Sequence, residues 1–277
     1  MNRSNSTVWL ALGLFATLAV PLQAQNASGT GGLTPAGLVR HAPLRALSPV
    51  NRADALYFDG DARASFVLLD EYLKVEPDDY EVLWRAARAA VLLGVSEEGS
   101  RSQNRWLDPA MELGHRTVAV RPHGTDGLYW RGAAHGRRAM NASPGYATEL
   151  AQQIYDDAHA ILEVDSLHGG AHNLLGKLSY EVMSLSGFER AVGRLFMGNE
   201  ALSNASWALA EKHLETAAEA WPDLVLFQFD LAQLYRKRGQ EDAAVEVYRR
   251  VLELPALHPT DLDLQSQARE ALEELGS

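Results

Sequence analysis

Nine histidines and no cysteine bound the chemistry open to this 277-residue chain. Without thiols there are no disulfides, thiolate metal sites, cysteine nucleophiles or lipidated cysteine, so a metal would have to rest on imidazole and carboxylate. The arrangement nearest to that pattern is His168 and His172, four residues apart, with Glu163 nearby. Neither stands in an H-E-x-x-H context, where the intervening Glu would serve as general base beside a zinc ion. His172 instead falls where a helix-pair repeat places a large packing residue, and His168 lies in the turn before it, which predicts core and cap roles. The acidic pairs Asp78–Asp79 and Asp156–Asp157 predict a helix start or a solvated helix surface. No G-x-S-x-G, phosphate loop or dinucleotide fingerprint follows a strand, since no alternating β-branched run exists to form one. The sequence therefore predicts no catalytic residue, no metal and no cofactor. The competing reading is an exported enzyme with a site assembled across helices from His and carboxylates, which two such groups converging in one closed pocket would reveal.

Whatever these residues do, helices must position them. From Asn51 onward nearly every stretch carries apolar residues at helical spacing, and Ala and Leu abound, which predicts an all-α chain. The C-terminal part contains Leu231 and Ala232, then Tyr235, Gly239 at a turn, Ala244 and Tyr248 four apart, and the ending RRVLELP. That follows the tetratricopeptide template W-x2-L-G-x2-Y…A-x3-F…P, with Gln228 in place of the Trp and Ala256 eight residues after Tyr248. Small residues let two antiparallel helices approach, larger ones fill the holes, and a Pro ends the hairpin. Similar endings recur at Pro77, Pro122, Ser166 and Pro222, spaced 45, 44 and 56 residues apart and then 34 to Ala256. Only the last equals the standard period, so the earlier units carry extra residues.

The extra residues fall between the helices of each unit. VSEEGSRSQNRW after Gly94 and NASPGY after Met140 read as loops by their Ser, Gly, Asn and Pro content. The third stretch differs. Leu174, Leu178, Val182, Leu185, Val192 and Phe196 continue one apolar stripe, which predicts a helix running past the point where the repeat should turn, with a kink near Ser186 beside Gly187.

The run AHNLLGKLSYEV with SLS and ER behind it, then Leu195–Phe196, Ala210, Leu214, Ala217, Pro222 and the clean final repeat, resembles the regulator of microtubule dynamics family of divergent tetratricopeptide proteins. The matching residues begin with His172, Leu174, Leu175, Gly176, Tyr180 and Glu181, and the resemblance covers about Leu167 to Pro255. At Gly187 the chain departs from the family, which has an aromatic there. The resemblance implies a curved helical-repeat fold of four to five helix pairs (an α-α superhelix), with the long segment as an insertion that caps or braces the stack.

The N-terminus, MNRSNSTVWLALGLFATLAVPLQAQ, joins a short polar start to an apolar run of about 15 residues, below the ~20 a spanning helix needs, and ends on small Ala24. This predicts a secretory signal over residues 1–24, a Gly/Ser-rich leader over 25–50 and the repeat domain over 51–277, with the protein exported to a periplasm or secreted. Export also removes the chain from cytosolic filaments, so microtubule binding is not carried over from the family. A net charge of −11, with no run of Lys or Arg longer than two, argues against nucleic acid as a partner. The expectation is a non-catalytic scaffold with a protein or peptide partner.

In such arrays the first helix of each pair lines the concave side. Helical spacing then places Trp84 with Arg88, Trp130 with Arg137 and Arg138, Asn173 with Lys177 and Tyr180, and Phe229 with Gln233, Arg236 and Lys237 along one groove. Cations interleaved with aromatics suit a peptide with acidic side chains or a free C-terminal carboxylate. The alternative is that these cations pair with Glu on the same helices.

Overall fold

The computed structural model describes residues 47–185 and 199–276. The expected signal sequence, most of the leader and the end of the predicted long helix lie outside the described residues. Within them the chain is entirely helical, in twelve α-helices: α1 Pro49–Phe58, α2 Ala62–Leu73, α3 Tyr80–Val95, α4 Ser100–Val120, α5 Thr125–Ala139, α6 Pro144–Val164, α7 Gly169–Ser184, α8 Glu200–Asn204, α9 Trp207–Ala220, α10 Val225–Lys237, α11 Glu241–Glu253 and α12 Asp261–Glu274.

Local chemistry sets the boundaries. Ser48 caps α1 through its Oγ, with Pro49 supplying a preset φ at the first turn. The Asp79 carboxylate accepts from the amides of Glu81 and Val82, which is the helix start expected at the Asp78–Asp79 pair. Ser206 caps α9 in the same way. Gly60 and Gly239 turn the chain at φ +88° and +73°, a region that L side chains avoid.

The helices pack as antiparallel pairs, α1–α2, α3–α4, α5–α6, α7–α9 and α10–α11, with α12 closing the array against α10 and α11. Close approach within a pair depends on missing side chains. At Gly176 of α7 a Cβ would lie 2.7 Å from Cγ of Leu214 on α9. Successive pairs lock in a related way: the Tyr80 ring of α3 lies against Gly124 and Gly127 at the start of α5, and its hydroxyl accepts from the Gly127 amide at 3.1 Å. One apolar core runs through the whole stack from Ala53 to Leu272.

Two sequence expectations need correction. SRSQNRW is not a loop: only residues 96–99 turn, and α4 starts at Ser100, so most of the extra residues lengthen α4 to 21 residues. α6 absorbs Pro144–Tyr146 likewise and reaches 21 residues. The long helix begins as expected but stops at Ser184, because Leu185 adopts φ −62° and ψ 153°. α7 is thus an ordinary first helix, and its partner α9 arrives only after the intervening stretch. The extra residues of this unit separate the two members of one pair.

The ends of the array meet. Phe58 at the end of α1 lies edge-on to His258 in the loop before α12, with ring centroids 5.6 Å apart. A recess of about 490 Å³ beside this contact is walled by Ala62 and Leu92 from one end and by Pro259 and Leu264 from the other.

Candidate functional site

The inner faces of α3, α5, α7 and α10 carry the side chains that helical spacing aims at one another. Each inner helix hands a cation to a carboxylate, usually on a neighbouring element. Arg85 Nε donates to Asp54 Oδ2 of α1 at 2.8 Å, and Arg88 donates to the other oxygen of the same carboxylate. Arg131 of α5 forks onto Asp157 of α6. Lys177 of α7 reaches Asp230 Oδ1 of α10 at 3.0 Å, while Asn173 Nδ2 donates to Asp230 Oδ2 at 2.8 Å. Arg236 of α10 pairs with Glu274 of α12. Asp157 therefore does not lie on a solvated surface as the sequence suggested. It is buried in an inter-helix pair, and desolvation raises its pKa to about 6 against the pull of Arg131.

Of the twelve residues placed along the groove, Trp84, Arg88, Trp130, Arg137, Asn173, Lys177, Tyr180 and Phe229 are buried, Arg138 and Gln233 are half-buried, and Arg236 and Lys237 are exposed. The aromatics are packing residues, and several carry cations on their faces: the Arg85 guanidinium lies 3.9 Å from the Trp84 ring centre, and Arg88 lies 3.9 Å from that of Tyr57. Arg138 leaves the inner row to meet Asp108 of α4 at 2.7 Å. The free positive stripe expected from the sequence is thus largely neutralised. Same-helix pairing accounts for part of this, at Arg85–Glu81 and Lys177–Glu181, but carboxylates of adjacent helices account for more. Of those acceptors, Asp54, Asp230 and Glu274 went unnamed in the sequence, and Asp157 was expected at a helix start or on a solvated surface. Asp230 had a signal, since it precedes Gln233 and Lys237 by three and seven residues on one helix face.

Arg137 is the exception in this row. The residue is 6% exposed, yet among the described residues neither Nε nor Nη2 has a hydrogen-bond partner, and Nη1 has only the Met140 sulfur at 3.9 Å. Those two nitrogens form the edge that grips a carboxylate with two parallel bonds. Burial lowers the pKa of Arg137 to about 9, partly offset by the fields of Asp230 and Glu181. Glu181, also buried, has no hydrogen bond at either carboxylate oxygen among the described residues and lies 3.9 Å from Lys177. Desolvation raises its pKa to about 7, with Lys177 opposing.

The histidines take the structural roles expected of them. His168 caps α7, its Nδ1 accepting from the Ala171 amide at 3.1 Å, and His172 is buried. His172 Nε2 lies 3.1 Å from the Ser166 carbonyl, which can only accept, so Nε2 holds the proton and Nδ1 accepts from Nδ1–H of His213, 2.8 Å away on α9. Burial, together with the nearby His172, Lys212 and His159, lowers the pKa of His213 to about 4. As the pH falls below the ordinary imidazole value near 6.5, the unfolded chain takes up a proton at this position while the folded chain does not, so stability is lost from about pH 6.5 down to about 4. Replacing His213 with glutamine should remove that component. Discounted for the solvent that reaches the ring, wild type should lose about 1–2 kcal/mol more than the variant between pH 7.5 and 4.5 in urea unfolding. Parallel profiles would show that the pair does not respond to pH.

One His–carboxylate approach bears on the enzyme alternative. His135 Nδ1 lies 4.0 Å from Asp157 Oδ2, but the imidazole is fully buried and the carboxylate is already forked by Arg131. Among the described residues no group of three or more His, Asp or Glu is placed to hold a metal ion.

Residues 50–276 match the family described as regulator of microtubule dynamics protein 1-3. The chain belongs to that family. No curated protein sequence matches it. Among solved structures, the thermophilic tetratricopeptide protein TTC0263 of Thermus thermophilus superposes with a TM-score of 0.60 at 23% identity, covering 81% of this chain and 97% of that one. The tetratricopeptide protein YrrB, described as having an unusual peptide-binding site, gives a TM-score of 0.39 at 11% identity over 88% of this chain and 99% of its own. A human IFIT1 dimer with PPP-AAAA gives 0.46 at 15% identity over 86% and 57%. The likeness to TTC0263 shows that this regulator of microtubule dynamics family member has the tetratricopeptide helical-repeat fold. Among the described residues, none of its helices is long and apolar enough to cross a membrane.

Proposed function

We propose that this family member is an exported, non-catalytic scaffold that holds a protein or peptide partner on its inner side, taking an acidic side chain or a C-terminal carboxylate at Arg137. The observation that carries the reading is that the Nε/Nη2 edge of Arg137 has no acceptor among the described residues, in a row whose other buried cations are matched to carboxylates. A buried guanidinium without acceptors is costly to the fold. A ligand carboxylate would supply both acceptors in the geometry that guanidinium favours. Export rests on the short apolar N-terminal run ending at Ala24.

The test is crosslinked capture of partners by the mature chain recovered outside the cytoplasm, with an intact mass lacking about the first 24 residues. Arg137→Met removes a charge that the fold does not satisfy, so the melting midpoint should hold or rise while capture is lost. A variant that captures the same partners undiminished would place docking elsewhere. A species retaining Met1 in a membrane fraction would overturn export.

A further inference from the structure

On the outer side, α9 and α11 stand apart over α10 and leave a groove of about 1390 Å³. Its lining runs along α11 from Asp242 to Glu253, about three turns of helix at ~1.5 Å per residue, which sets the length of segment it can face. Its floor is apolar, from Ala218, Leu231 and Val247. One wall carries Glu215 and Glu219, four apart on α9, and the other carries Asp242, Glu246 and Glu253 on α11. Tyr235 donates to Glu215 at 2.8 Å, but Glu219, Asp242, Glu246 and Glu253 form no ion pair among the described residues. Two arginines of α11 also line the groove, Arg249 and Arg250, the latter bonded to the Pro222 carbonyl at 3.4 Å, which leaves five lining carboxylates against two guanidiniums. Glu215 with Glu219, and Asp242 with Glu246, are like charges four apart on a helix and repel, a cost that a cationic partner would relieve.

The floor also carries a polar group. Gln228 is 4% exposed, and its Nε2 donates to the carbonyls of Ala218 and Pro222 at 3.1 and 3.2 Å. Gln228 lines the groove, and its Oε1 has no hydrogen bond among the described residues. This is the position where the repeat template has Trp, so the departure from the template replaces an indole with a hydrogen-bond acceptor at the floor.

We infer that this groove docks an amphipathic helix of a partner protein whose apolar stripe is flanked on both sides by Lys or Arg. The apolar stripe meets the floor, one basic flank faces each acidic wall, and the Gln228 carbonyl takes one ammonium or guanidinium donor. The inference goes beyond the inner-side reading and does not depend on it, since the two sites would select oppositely charged ligands.

The probe is a fluorescent peptide of about 15 residues with leucine at three- and four-residue spacing and lysine elsewhere, titrated into the mature chain. Saturable binding is expected, weakened roughly tenfold by a tenfold rise in salt. Glu219→Lys with Glu246→Lys should weaken it at least roughly tenfold with unchanged helical content, since both residues are exposed. Gln228→Trp should weaken it comparably with no change of charge, whereas Arg137→Met should leave it intact, which separates this site from the inner one. Because the whole chain is acidic, the deciding control is Glu76→Lys with Asp78→Lys in the turn between α2 and α3, exposed and of equal charge change. Equal loss with that control, or equal binding of the same peptide with glutamate for lysine, would overturn the proposal. So would a dimer in sedimentation that the Glu219→Lys, Glu246→Lys variant dissociates, because a second copy would then be the occupant.

Discussion

Replacing Asp230 with alanine should lower the unfolding free energy by about 3–5 kcal/mol, the cost of breaking a buried ion pair by removing one member. The carboxylate is 1% exposed and ties two side chains of α7 to α10: the Lys177 ammonium at 3.0 Å and the Asn173 amide at 2.8 Å. Alanine would remove the 3.0 Å carboxylate from a cation that is 4% exposed and leave a buried amide donor without its acceptor. It would also withdraw the negative field that favours the charged form of Arg137. For a domain of this size the melting midpoint should fall by roughly 10 °C. A double variant, Lys177→Met with Asp230→Leu, should recover most of the loss, because two apolar side chains need no partners. A loss below about 1 kcal/mol in Asp230→Ala, read by urea unfolding, would show that the pair adds nothing to the join between α7 and α10.

Gly176→Val is the second large effect. A Cβ at residue 176 would lie 2.7 Å from Cγ and 3.0 Å from the backbone nitrogen of Leu214, so the obstruction is partly main chain and cannot swing aside. Valine adds two methyl groups beyond that Cβ. Overpacking of this kind costs about 1–3 kcal/mol where neighbours can yield and more where a backbone cannot. We expect about 3 kcal/mol or more in chemical unfolding, with α9 moving off α7. Trimming the side chain in Gly176→Val with Leu214→Ala should restore only part of it, since the nitrogen contact stays. Unchanged stability in the single variant would mean that these helices are not held as closely as the structure places them.

How much of this was legible beforehand follows the range of the interactions. The pair α10–α11 could be read residue by residue, because Gly239 and the Ala244–Tyr248 spacing are local signals. SRSQNRW misled for the opposite reason. Its polar composition is that of a loop, and it is helical because α4 extends upstream from a buried face built by Leu107, Ala110 and Leu113. Helix-to-helix packing overrode local preference there. At the inner site the cations could be named from spacing, but their acceptors could not. Whether Lys177 points into an open groove or onto Asp230 depends on the rotation between successive pairs, which no single helix encodes. Arg137 looked like the other cations in the sequence, and only the three-dimensional accounting of donors sets it apart.

The contact between Phe58 and His258 has a consequence for how this architecture can change over evolutionary time. An open solenoid grows or shrinks by whole units, because each added unit sees only its neighbour. Here the first and last units also see each other across the recess walled by Ala62, Leu92, Pro259 and Leu264. Duplicating or deleting one helix pair would pull those walls apart and open both ends of the core at once. The number of repeats is therefore locked by closure, and variation is channelled into the lengths of α4 and α6 and into the stretch between α7 and α9. Those are the places where this chain departs from the regular period.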